Sequence, residues 1–132
     1  MRIAADTDVL LRAVLQDDPA QSRLARKVLE GAELVVIPVP VLCEFVYVLR
    51  HAYKRPAVEI AGAIRMLMDS SNVVVNHPAV EAGLALLDKG GDFADGAIAY
   101  EGHWLGAEEF VSFDKQAVSL LRSRGRKTRL LS

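Results

Sequence analysis

The stretch IAADTDVLLRAVL, Ile3 to Leu15, places two carboxylates, Asp6 and Asp8, where a short apolar run gives way to a helical pattern. Ile3 to Ala5 reads as a brief first strand and Asp8 to Leu15 as a short helix. A strand that hands directly to a helix is the opening half of a β-α unit. An acid at that junction has two readings. It can cap the helix by accepting backbone N–H bonds, or it can stand at the edge of a metal site. The rest of the chain bears on which.

Downstream the same alternation repeats. DDP, Asp17 to Pro19, sets a capping acid before a proline at the first helical position, and the helix runs to Glu30. Gly31 follows as a left-handed stop. LVVI, Leu34 to Ile37, is β-branched and apolar, as in a strand buried on both faces. In PVPVLCEFVYVLRHAYKR, Leu42, Phe45, Val46, Leu49 and Tyr53 share one helical face. Pro56 starts another helix with Ile60, Ile64, Leu67 and Met68 as its stripe. NVVV, Asn72 to Val75, is a third strand, and Pro78 opens a helix through Lys89. Gly90 and Gly91 break it, and Asp92 caps a helix through Trp104. EFVSF, Glu109 to Phe113, is a fourth strand, followed by a helix from Lys115 to Arg122. TRLL at the end is a fifth, edge strand.

This order predicts an α/β chain forming one domain over residues 1–132. The expected architecture is a three-layer α/β/α fold around a central, mostly parallel sheet of four to five strands. The length suits one domain with a real core, and 52% hydrophobic with 25% charged residues is a globular composition. No apolar run reaches the ~18 residues of a membrane span, and no signal-peptide pattern opens the chain, so a cytoplasmic location is expected. The single cysteine, Cys43, excludes an intrachain disulfide and reads as a buried apolar residue. The net charge of −1 gives no overall argument for nucleic-acid binding. Two bound divalent cations would turn it to +3, so charge does not exclude RNA either.

Open parallel sheets bind ligands at the carboxyl ends of their strands. Asp6 follows the first strand, Glu44 lies early in the helix after the second, and Asp114 follows the fourth in VSFDK. Asp92 and Asp95 open the helix before that strand, and Asp95 joins the others if its helix begins at the same rim. Taken singly, Asp6, Asp92 and Asp114 each read as helix caps. Glu44 shares a face with Val41, Val48 and His51, where an acid needs a partner. Taken together, the acids repel: two unit charges ~4 Å apart cost roughly 4 kcal/mol at an effective dielectric near 20. A divalent cation removes that repulsion. Oxygen donors without cysteine or paired histidine point to Mg²⁺ or Mn²⁺, and such an ion suits phosphodiester hydrolysis.

The stretches ADTDVLLRAVLQDDPAQ, the glutamate within VLCEFVYVL, GDFADGAIAY and VSFDK resemble the PIN domain. Over most of its length the chain is similar to the VapC ribonuclease toxins of type II toxin–antitoxin pairs. The resemblance implies that Asp6, Glu44, Asp95 and Asp114 are the catalytic, metal-binding acids, with Thr7, Asp8 and Asp92 as accessories. It also implies an RNA substrate, a homodimer, and neutralisation by a small cognate antitoxin whose tail blocks the active site. Position 8, usually Asn in that family, is Asp here.

Two other readings compete. A haloacid-dehalogenase-like phosphatase also begins with a strand and an Asp-x-Asp pair, but it leaves Glu44 and Asp114 unexplained. A non-catalytic RNA-binding or interaction module on the same fold would usually have lost some of the acids. His51, His77 and His103 have no metal-ligand spacing and read as surface or packing residues. The basic tail RSRGRKTR, Arg122 to Arg129, reads as a solvated face or as a row of phosphate contacts.

Overall fold

A computed structural model describes all of the chain, Met1–Ser132. Its contacts divide it into two compact units, Met1–Asn76 and His77–Ser132.

The first unit holds strands β1 (Arg2–Ala4), β2 (Leu34–Val36) and β3 (Val73–Val74) and helices α1 (Thr7–Leu15), α2 (Pro19–Gly31), α3 (Val39–His51) and α4 (Ala57–Asp69). The strands form one parallel sheet in the order β1-β2-β3, with Ile3 opposite Val35 and Val35 opposite Val73. Asp18 caps α2 by accepting from the Gln21 N–H, with Pro19 behind it. The apolar stripe of α3 is spent inside: Leu42, Phe45, Val46 and Leu49 are buried, as are Ile60 and Ile64 of α4. Each such side chain contributes roughly 1.5–3 kcal/mol of burial.

The second unit holds α5 (His77–Leu87), α6 (Phe93–Trp104), β4 (Phe110–Ser112), α7 (Lys115–Ser123) and β5 (Thr128–Leu130). β4 and β5 pair in parallel, joined through α7, with Val111 opposite Arg129. Helices α5 and α6 approach closely because glycines sit at their contact. The Phe93 ring lies where a side chain at Gly83 would be, and the Ala82 carbonyl lies where one at Gly96 would be. Leu86, Ala99 and Leu121 form a small core against Phe110 and Leu120.

Four expectations are corrected. All five strands form, but they make a three-stranded and a two-stranded sheet, not one sheet of four to five. Strands of two or three residues carry few ladder bonds, and residue pattern locates a strand without naming its partner. LVVI is not buried on both faces: Val35 and Ile37 are inside, whereas Val36 is 39% exposed, in a row with Ala4 and Val74. Gly31 is no left-handed stop, since α2 ends at Ala32 in extended backbone. The Asn72 side-chain amide donates to the Leu29 and Ala32 carbonyls and so satisfies that helix end from outside. The left-handed residue instead ends α1, at Gln16. Finally, Cys43 is half-buried rather than buried.

Candidate active site

In the first unit, β1 ends at Ala4 and α1 begins at Thr7, so Asp6 is the N-cap of α1. Its Oδ1 accepts from the Thr7 N–H at 2.7 Å. The Thr7 side chain turns inward, and its hydroxyl donates to Glu44 Oε1 on α3 at 3.0 Å. Thr7 is one of the few buried polar residues, 6% exposed. A single threonine therefore ties the end of β1 to the carboxylate of α3, although Glu44 itself is exposed and its burial does not demand a partner. Asp8 is exposed in the first turn of α1.

In the second unit, Asp114 caps α7. Its Oδ1 accepts from the Ala117 N–H at 3.0 Å, and its own backbone N–H donates to Ser112 Oγ at 2.9 Å. Asp92 caps α6 by accepting from the Ala94 N–H. Asp95 stands in the first turn of that helix, half-buried. Burial, followed by the nearby charges of Asp92 and Asp114, pushes the Asp95 carboxyl up to about 6. Asp92 and Asp114 thus lie near enough to Asp95 to act on its charge.

The capping reading of Asp6, Asp92 and Asp114 is correct, and it does not use the residues up. An ionised carboxylate has two oxygens and about four lone-pair sites. A cap occupies one of them and fixes the rotamer, which leaves the second oxygen for a cation. Hard oxygen donors and a carboxyl pushed toward its neutral form by burial and then by like charges both fit a divalent ion. Within neither unit do three or more His, Cys, Asp or Glu side chains gather in a metal-holding arrangement. Ser112, which sequence reading missed, orients the Asp114 backbone. Its signal is a hydroxyl residue two positions before a capping acid, the pattern of a local side-chain turn. His51, His77 and His103 are all exposed, and His51 lies against Tyr47 with ring centroids 4.4 Å apart.

The PIN domain family profile matches residues 3–120. The chain belongs to the PIN domain family. Asp6, Glu44, Asp95 and Asp114 all fall within the matched span, and membership displaces the phosphatase alternative that Asp6 and Asp8 imitate. PIN domains are generally nucleases and typically use divalent metal ions. No curated protein matches this PIN domain. No helix in it is long and apolar enough to cross a membrane.

Proposed function

We propose that this PIN domain is a Mg²⁺- or Mn²⁺-dependent endoribonuclease and the toxin of a toxin–antitoxin pair. Asp6, Glu44, Asp95 and Asp114 bind the metal, and Thr7, Asp8 and Asp92 support them. It acts in the cytoplasm as a homodimer and is silenced by a small cognate antitoxin. The observation that carries the reading is the set of buttressed acids in a chain of this family: Glu44 held by Thr7, and Asp95 crowded by Asp92 and Asp114.

When bound, the ion would lower the pKa of a water and stabilise charge on the leaving oxygen of the phosphodiester. The protein side chains then have three tasks. Asp6 and Asp114 hold their free oxygens in place through their capping bonds. The Thr7 hydroxyl aims Glu44 by donating to Oε1. Asp95, whose carboxyl is raised to about 6 by burial and then by Asp92 and Asp114, would hold the ion as a carboxylate.

The decisive experiment exploits the caps. Asn caps a helix about as well as Asp, so Asp6→Asn and Asp114→Asn should keep the fold and remove only the charge. Losing a residue that merely supports a ligand costs about 10–100-fold, so each variant should lose at least about 100-fold in RNA cleavage. Wild-type cleavage should require Mg²⁺ or Mn²⁺ and stop with EDTA. Full activity in either variant would remove the mechanism.

A further inference from the structure

Beyond the acids, the strongest charge asymmetry lies at the carboxyl end of α7. From Lys115 to Ser132 the chain carries six cations and no acid. Some of these are committed. Arg122 donates to the Thr128 hydroxyl at 3.1 Å, and Arg129 pairs with Glu109 at 3.1 Å. Arg124, Arg126 and Lys127 form no ion pair.

The backbone that presents them is fixed. The Gly125 N–H donates to the Arg122 carbonyl and the Arg126 N–H to the Leu121 carbonyl, with Gly125 at φ +84°. This paired closure is the Schellman motif. It holds Arg124 and Arg126 on either side of a turn whose geometry is set before any ligand arrives. The turn borders a cavity of about 210 Å³, walled by Ala82 and Leu86 of α5, Gly96 of α6 and Leu121 of α7, with Arg124 and Arg126 at its edge. That is several times the ~30 Å³ that a water occupies in the liquid. The wall is small and uncharged, so an anion reaches the guanidinium groups without meeting an acid in the lining.

A plain role for these arginines is to offset the carboxyl end of α7. That end carries only about half a negative charge, which one guanidinium more than neutralises. The second, and Lys127 beside it, remain uncompensated. Paired planar guanidinium groups match phosphate oxygens in a way that lysines do not.

We propose that the Arg124–Arg126 turn is a phosphate-binding site that grips the backbone of the RNA substrate. This rests on the ribonuclease reading and names how that substrate is held. The site carries no base-stacking aromatic in its lining, so it positions RNA without reading its sequence.

The test measures binding without cleavage. A fluorescently labelled oligouridylate of about 12 nucleotides is titrated with the full-length protein in EDTA at several salt concentrations. Each single-strand phosphate contact contributes about 0.7 to the slope of log K against log salt. The double variant Arg124→Gln/Arg126→Gln should flatten that slope by about 1.4 and weaken binding by roughly fivefold or more at low salt. Its thermal midpoint, read by circular dichroism, should stay near wild type. Arg23→Gln/Lys27→Gln on α2 removes the same charge from an exposed helix surface and should change neither quantity.

Wild-type affinity and slope in the α7 variant overturn the proposal. So does an equal loss in the α2 control, because the effect would then be net charge alone. No detectable binding by the wild type overturns it as well. The ribonuclease reading stands or falls separately, on metal-dependent cleavage and on Asp114→Asn. Arginine-dependent binding without cleavage keeps this site and removes that reading, and cleavage with an unchanged slope does the reverse.

Discussion

Among single residues, Asp95 is the group whose protonation carries most information. Burial and the charges of Asp92 and Asp114 raise its carboxyl from 3.8 to about 6 in the folded protein. A carboxyl whose folded value is raised contributes its stability in full below the unfolded value, and loses it as pH rises through the folded one. In EDTA, the stability due to this group should therefore fall between about pH 4 and pH 6. Asp95→Asn should remove that pH dependence and stabilise the metal-free protein at pH 8. The gain expected is about 1–2 kcal/mol, reduced from the nominal shift because Asp95 is partly solvated. Urea unfolding at pH 5 and pH 8 checks this, and a variant less stable than wild type at pH 8 contradicts it. Asp6 and Asp114 were legible in the sequence because each caps a helix that directly follows a strand. The Thr7–Glu44 bond was not, since 37 residues separate the partners and no local pattern encodes their meeting.

For the helices and strands, apolar spacing together with caps, prolines and glycines located every helix, and the local N-terminal caps were read correctly. Asp18, Asp92 and Asp114 each accept from an N–H within three residues, so sequence alone reveals them. The left-handed stop at Gly31 failed because the group that closes α2, Asn72, lies some 40 residues away. The α5–α6 contact gives a prediction about packing. A methyl group at residue 96 would run into the Ala82 carbonyl and approach the Gly83 Cα to 2.9 Å. The obstacle is backbone, so the helices must separate. Gly96→Ala should cost about 2–3 kcal/mol, near the upper end for overpacking. It should lower the thermal midpoint by roughly 5 °C or more. Gly62→Ala serves as the comparison, because nothing lies within 4 Å of the place its methyl would take. A Gly96→Ala midpoint equal to wild type would mean that the helices do not pack as described.

For the molecule as a whole, the question is assembly. The apolar stripes of α3 and α4 are largely spent inside the chain. What remains exposed on those helices is Tyr47, Val58 and Met66, at 64%, 79% and 75%. Large exposed apolar side chains on a small domain are candidates for a twofold contact. Wild-type protein at about 10 μM is expected to sediment as a dimer, and Tyr47→Arg/Met66→Arg as a monomer. A wild-type monomer under those conditions removes the homodimer from the proposal.

Residue pattern was enough for the α/β alternation, for the positions of five strands and seven helices, and for the acids at the strand–helix junctions. These are local matters: side-chain spacing, proline and glycine placement, and capping chemistry act within a few residues. Which strands pair was settled only by the packed chain, β1-β2-β3 in one sheet and β4-β5 in the other. So was the closure of α2 by Asn72, the hold of Thr7 on Glu44, and the push of Asp95 toward its neutral form. Each depends on burial or on groups distant along the chain coming within hydrogen-bonding or Coulombic range. That distance is set by how the elements pack, and spacing along the chain does not specify it.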